Sequence, residues 1–423
     1  MTAESQTRIF YGWHVVGAAS VLAVFGWGVG FYGPPVFLSV VQETRGWPVA
    51  LVSAAVTVHF LVGAVAGGNL PVLHRRYGVK IVTKAGALVM NIGVFGWATA
   101  TAPWQLFIAA GLSGAGWGAM SAAALNAIIA PWFVRSRPAA LAMAYNGASL
   151  GAIIFAPLWV AAISALGFPM AVVAIGIVMV ITMWALSDLV FSRTPEAMGL
   201  RPDGDQPNVP MTMVTAPSAQ PLPGTQLWHN RQFLTLTAGM ALGLFAQVGL
   251  VAHLYSLLAP TFGAQQAGFA MALVTAMAII GRTLFGWLMP LGADRRLAAC
   301  LGYAAQLAGS VAFVFAAGTN VPLLVLGIVL FGVGFGNATS LPPLIAQVEF
   351  VNQDLQSAVA LVVAIAQGAF AFAPAVFGLI RSLAPPATDA APADAPILFG
   401  AAALVQGLAV CAFLAGRRRS QVD

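Results

Sequence analysis

Gly114-Ala115-Gly116-Trp117-Gly118 stands in the first half of the chain, and Gly332-Val333-Gly334-Phe335-Gly336 repeats its spacing 218 positions later. Small residues in such a run let neighbouring helix backbones approach with no lipid between them. Each run lies inside a long apolar stretch, about 104–130 and 321–348. Two further anchors occur in the same order. Gly67 and Pro71 before Arg75-Arg76 match Gly286 and Pro290 before Arg295-Arg296, and Gly151 and Pro157 match Gly368 and Pro374. The offsets at the three anchors are 219, 218 and 217. One coincidence would mean little in a chain with 45 glycines, but three in order mark an internal duplication.

The segments around these anchors are long enough to cross a bilayer, which takes about 20 apolar residues. Twelve are visible, at about 12–38, 49–72, 79–101, 104–130, 138–165, 168–190, 232–259, 265–290, 296–317, 321–348, 357–383 and 396–416. Hydrophobic residues make up 60% of the chain and charged residues only 7%. A soluble surface needs roughly 25%, so lipid must be the main solvent. The predicted fold is an all-α membrane protein of twelve transmembrane helices in two pseudo-symmetric six-helix bundles. The bundles are expected at 1–190 and 231–423. Between them, 191–230 holds seven prolines and reads as a cytoplasmic linker.

Lys and Arg positions orient the spans. With the N-terminus inside, 15 of the 18 basic residues fall on the cytoplasmic side, Arg45 and Arg381 fall outside, and Arg282 lies within a span. This bias places both termini in the cytoplasm. It also accounts for the net charge of +6 without nucleic acid. The first apolar run is too long for a cleaved signal peptide and is read as a retained helix. Cys300 and Cys411 sit in apolar runs with no metal or disulfide spacing. The sequence shows no zinc-ligand run, nucleophile elbow or nucleotide loop, so an enzyme and a cofactor are not expected.

Several strings are specific. They are Arg45-Gly46-Trp47-Pro48 with Ser53; Pro131-Trp132-Phe133 with Arg137, Ala140-Leu141-Ala142, Gly147 and Gly151; Pro195 through Gly204; and His253 with Gly281-Arg282 and Gly286. Through them the chain resembles the major facilitator superfamily, and within it the monocarboxylate and oxalate–formate transporter branch. The resemblance implies two halves rocking around a midplane site. It also implies that Arg282, in the eighth helix, binds substrate carboxylate. There are departures. Arg75 stands where the superfamily's second loop usually carries an Asp, and Pro290 replaces the matching acid in the second half. The animal carriers' first-helix Lys is absent, and the eleventh helix offers Gln367 where oxalate–formate relatives have Lys.

Arg282 is expected about four residues from the middle of its span, or about 6 Å along the axis. A charge at such depth costs about 2.5–3.5 kcal/mol on insertion scales and must face a wet cavity or a partner. All twelve acids fall in loops, tails or span ends, so the substrate is the expected counter-ion, through a bidentate guanidinium–carboxylate pair. Backbone carbonyls at a helix interface are the alternative partners. One fixed cation favours a monoanion over a dianion. Asn146, Trp117, Asn337, Gln247 and Gln367, all near mid-membrane, are candidate substrate contacts. His253 is read as a proton-linked gate or else as a satisfied buried histidine; it is expected about 16 Å in height from Arg282. His59 is read as structural.

The expected function is secondary transport of a small organic monoanion, a monocarboxylate, by a monomer in a cell inner membrane, with protons as a candidate co-substrate. The alternatives are an exporter of apolar or cationic compounds from the same superfamily and a membrane sensor.

Overall fold

A computed structural model describes residues 10–204, 227–288, 294–338, 341–350, 352–383 and 395–417. Arg8, Pro290, Arg418, Arg419 and the linker stretch 205–226 lie outside them. Among the described residues there is no strand. The helices are α1 (Gly12–Gly30), α2 (Gly33–Arg45), α3 (Val49–Thr99), α4 (Pro103–Gly118), α5 (Ala122–Ile129), α6 (Arg137–Leu166) and α7 (Phe168–Leu189). The second half has α8 (Arg231–Phe262), α9 (Ala264–Leu288), α10 (Arg295–Ala316), α11 (Val321–Phe335), α12 (Leu341–Glu349), α13 (Asn352–Ala371), α14 (Ala373–Ser382) and α15 (Ala395–Ala415).

Ten described segments are long and apolar enough to cross a membrane. The 51-residue α3 is about 75 Å long at 1.5 Å per residue, more than two bilayer cores. It folds back at Gly78, whose φ of 77° and ψ of 156° suit a residue without a Cβ, and so supplies two spans. The pair α11 and α12 forms one more. The total is the expected twelve.

The first span breaks between α1 and α2 for a chemical reason. Pro34 and Pro35 have no N–H, so the carbonyls of Gly30 and Phe31 lose their helical donors. Lipid cannot replace them. His59 of α3 satisfies Gly30 O from Nε2 at 2.8 Å. Tyr32 N turns instead to Trp27 O at 2.8 Å. Trp159 Nε1 of α6 takes Gly28 O at 3.1 Å.

The paired glycine runs seat the fourth and tenth spans. A Cβ on Gly114 would overlap His59 O of the second span, and one on Gly116 would overlap Met90 N of the third. In the second half, Gly332 and Gly336 lie against Val274 and Ala278 of α9, and Gly334 against Gly302 of α10. Each run thus wedges its span between the second and third spans of its own half. The packing explanation of these runs holds, and the duplication is structural.

The halves touch on the side where Arg45 and Arg381 lie. Ala375 N donates to Thr57 Oγ1 at 3.1 Å. Gly268 of α9 abuts Pro157 of α6, and Phe60 meets Phe370 edge to face at 6.1 Å. Toward the other side Asn146, Leu150, Arg282, Leu284 and Gln367 are exposed.

Candidate functional site

Arg282 lies near the C-terminal end of α9 and keeps part of its side chain exposed. Its Nε donates to Gly336 O at 2.9 Å, the carbonyl of the last glycine in the second run. The glycine spacing that lets α11 approach α9 thereby brings that carbonyl to the guanidinium. No acid among the described residues pairs with Arg282. The backbone-carbonyl alternative therefore accounts for one of its nitrogens and leaves the outer fork for a ligand.

Thr275 lies seven residues before Arg282, two turns away on the same helix face. Tyr32, at the break of the first span, places its hydroxyl against Thr275 and within electrostatic reach of Arg282. That face of α9 is therefore turned toward the other half. Sequence reading missed Tyr32 and Thr275. The Pro34-Pro35 pair was the available signal, since a broken helix in a transporter brings irregular backbone and its side chains to the midplane.

The other candidates divide. Asn146 and Gln367 are exposed on α6 and α13, one on each half. Trp117 is half-buried between Gly30 and Gly63, where any Cβ would strike its ring, and its Nε1 has no hydrogen-bond partner. Gln247 is 3% exposed with Oε1 unpartnered. Asn337 is buried and turned toward Gly302 and Tyr303 of α10, inside the second bundle.

The two span histidines do different things. His59 is fully satisfied. Because Nε2 faces a carbonyl it must carry the proton, so Nδ1 accepts from Ser113 Oγ at 2.8 Å. Trp97 Nε1 donates to the same hydroxyl at 3.1 Å. The structural reading of His59 fits this geometry. His253 is completely buried, with Nε2 at 3.1 Å from Pro374 O and Nδ1 unpartnered. Arg381 Nη1 donates to Ser256 Oγ at 2.6 Å, and Ser256 Oγ donates to His253 O at 2.8 Å. His253 is thus grouped with Arg381 at the closed end, apart from Arg282.

A family model described as Major Facilitator Superfamily matches residues 16–374. The chain belongs to the Major Facilitator Superfamily. A curated relative, MFS-type transporter 1 of Ophiocordyceps sp. (strain BCC 1869), is 24% identical over 359 residues, covering 81% of this chain and 73% of that protein. Among solved structures, the nucleoside transporter NupG superposes with a TM-score of 0.72 at 15% identity, covering 96% of this chain and all of NupG. A bacterial homologue of the human lysosomal transporter Spinster, inward-facing and occupied, gives 0.73 at 14% identity, over 95% of this chain and 96% of that one. At these identities the structures share the fold. This superfamily member is therefore a multi-pass membrane transporter of small molecules.

The second half also answers the missing loop acid. Asp294, four residues past Pro290, caps α10 through Arg296 N and Leu297 N and pairs with Arg417 Nε at 2.6 Å. Beside it, Arg296 is 2% exposed and holds Glu349 at 2.5 and 2.8 Å, with Gln232 O and Thr235 Oγ1 as further acceptors. Among the described residues no His, Cys, Asp and Glu cluster could hold a metal.

Proposed function

We propose that this superfamily member carries a small organic monoanion, a monocarboxylate, by alternating access around Arg282. The observation that supports it most is a partly exposed guanidinium inside a span, with no acid beside it among the described residues, which we read as the end of a vestibule between the halves. A carboxylate would take the free fork with two parallel hydrogen bonds. A second substrate charge would have no cation to meet it. Asn146 and Gln367 would contact the rest of the substrate from opposite halves, and Trp117 would line the first half. His253 would serve as a proton-linked gate at the closed end, its free Nδ1 accepting the proton. The carrier would work as a monomer in an inner membrane, both termini cytoplasmic.

The test is uptake into proteoliposomes of labelled mono- and dicarboxylates, with and without a pH gradient. Arg282→Gln should lower kcat/KM for acids by about tenfold to a hundredfold, the worth of a charge-assisted hydrogen-bond pair. Transport by the variant equal to the parent's would refute the anchor. Preference for dianions would refute the charge count.

A further inference from the structure

We infer that the substrate is an aromatic monocarboxylate whose ring stacks on Phe31, Trp117 and Phe370 while its carboxylate is held by Arg282. The inference rests on the reading of Arg282 as a carboxylate anchor and adds what the rest of the substrate must be.

The aromatic rings around the break of the first span form one connected group. Phe31 meets Tyr32 at 5.0 Å, Phe60 at 5.6 Å and Trp117 at 6.4 Å, and Phe60 meets Trp117 at 5.5 Å. Phe370 closes the group from the opposite half, at 6.1 Å from Phe60. These spacings lie in the range for offset and edge-to-face ring pairs. Phe60 and Tyr32 are buried, but Phe31, Trp117 and Phe370 each keep part of their surface open. Phe370 and the Phe31 group come from opposite halves that meet here, which puts the partly open rings at the contact between the halves. Tyr32 is the link to the anchor: its ring is against Phe31 and its hydroxyl lies in the field of Arg282.

Above the rings the path is shut. The gap between Phe31, Pro35, Val56, Phe60, Val248 and Val251 has about 10 Å³ of free space, one water at most. A substrate ring therefore stops below Phe60.

Charge complementarity narrows the choice. Arg282 supplies one cation. The ionisable side chain beside the rings is His59, stacked on Trp117 at 5.8 Å, and both its nitrogens are already engaged. A second carboxylate would face the negative faces of π-surfaces with no cation to meet it. A flat, uncharged ring suits such a surface, because edge-to-face and offset contacts cost it no desolvation of polar groups.

The test compares acids of equal charge and nearly equal volume. Purified full-length protein in detergent is titrated calorimetrically at pH 7.5 with benzoate, cyclohexanecarboxylate, phenylacetate, cyclohexylacetate and acetate. Each aryl acid should bind about threefold to tenfold more tightly than its saturated partner, the worth of one added aromatic pair. Trp117→Leu and Phe31→Leu should each shrink that ratio, the aryl acid losing more affinity than its saturated partner. If either variant fails to purify as a monodisperse protein, the ratio in the unaltered protein decides. Equal affinities within each pair, or tighter binding of the saturated acids, overturn the aromatic inference. The anchor reading then survives if Arg282→Gln still weakens every acid. Absence of binding by all five acids, or identical binding by Arg282→Gln, overturns the anchor reading and this inference together.

Discussion

Arg296 and Arg282 lie fourteen positions apart and occupy opposite electrostatic situations. Arg296 has a carboxylate and three further oxygens around it; Arg282 has one backbone carbonyl. Removing the first should therefore expose how much its partner depends on it. Arg296→Met leaves Glu349, whose side chain is 13% exposed, without its counter-charge. The expected cost is about 3–5 kcal/mol, because a buried charge is left uncompensated. The double variant Arg296→Met with Glu349→Leu should recover most of the loss, since both desolvated charges are then gone. Thermal unfolding in detergent measures both; equal destabilisation by the single and double variants would contradict the account. Reading the sequence found Arg282 because depth within a span is visible as distance from its ends. It counted Arg296 only as a cytoplasmic-side charge at the start of a span. What turns Arg296 inward is the start of α10, set by the Asp294 cap, and a charge census has no register. Tyr32 escaped for a related reason: its role comes from a break in the helix, and a hydropathy pattern runs straight through that break.

At the scale of elements, the spans and the paired glycine runs were legible because both depend on composition and spacing alone. Their energetics can be separated by position. Gly334→Ala would push a Cβ into Gly302 O and should cost about 1–3 kcal/mol through overpacking. Gly111→Ala, in α4 with open space around it, should be neutral or gain up to about 1 kcal/mol from helix propensity. Detergent melts of the two variants check the contrast. The connection between motifs was not legible. The Pro131-Trp132-Phe133 crossing and the 195–204 string are far apart in sequence, yet the Asp203 carboxylate accepts from Val134 N, Arg135 N and Ser136 N at 3.0, 2.8 and 3.0 Å. Asp203 N in turn donates to Trp132 O at 2.9 Å. The start of the linker is therefore clamped to the entrance of α6. Burial disfavours the charge on Asp203, but the three backbone donors outweigh it and hold the carboxyl below its ordinary value. With a depressed folded-state pKa, the clamp is at full strength above about pH 4 and weakens as pH falls through the folded value. Protection factors at amides 134–136, corrected for the intrinsic exchange rate, should fall on acidification below that point. Asp203→Asn should show the lower protection already at pH 7 and lose the acid step.

For the whole molecule, the sequence supplied the handedness and the structure supplied the state. From the positive-inside bias we propose that the side on which Arg282, Asn146 and Gln367 are exposed is cytoplasmic, and that the described conformation is inward-facing. This can be checked without knowing the substrate, by asking from which side the vestibule is reached. Asn146 and Gln367 are exposed on facing halves below the closed end, and their neighbours form no contact that would hide them. Cys300 is buried, and Cys411 is exposed about one turn from the C-terminal end of α15, so it is removed from the background. Single cysteines at Asn146 or Gln367 in a Cys411→Ala background should react with a membrane-impermeant maleimide in inside-out vesicles. In right-side-out vesicles they should react slowly, at the rate at which the outward-facing state is visited. A bound monocarboxylate held by Arg282 would occupy the same space, so saturating acid should slow labelling at both positions in the parent background and not in Arg282→Gln. Labelling first from the outside would invert the orientation argued from Arg and Lys. Labelling from the inside with no protection by any acid would keep the orientation and remove the anchor, because a ligand at the end of the vestibule must shield the residues on its path.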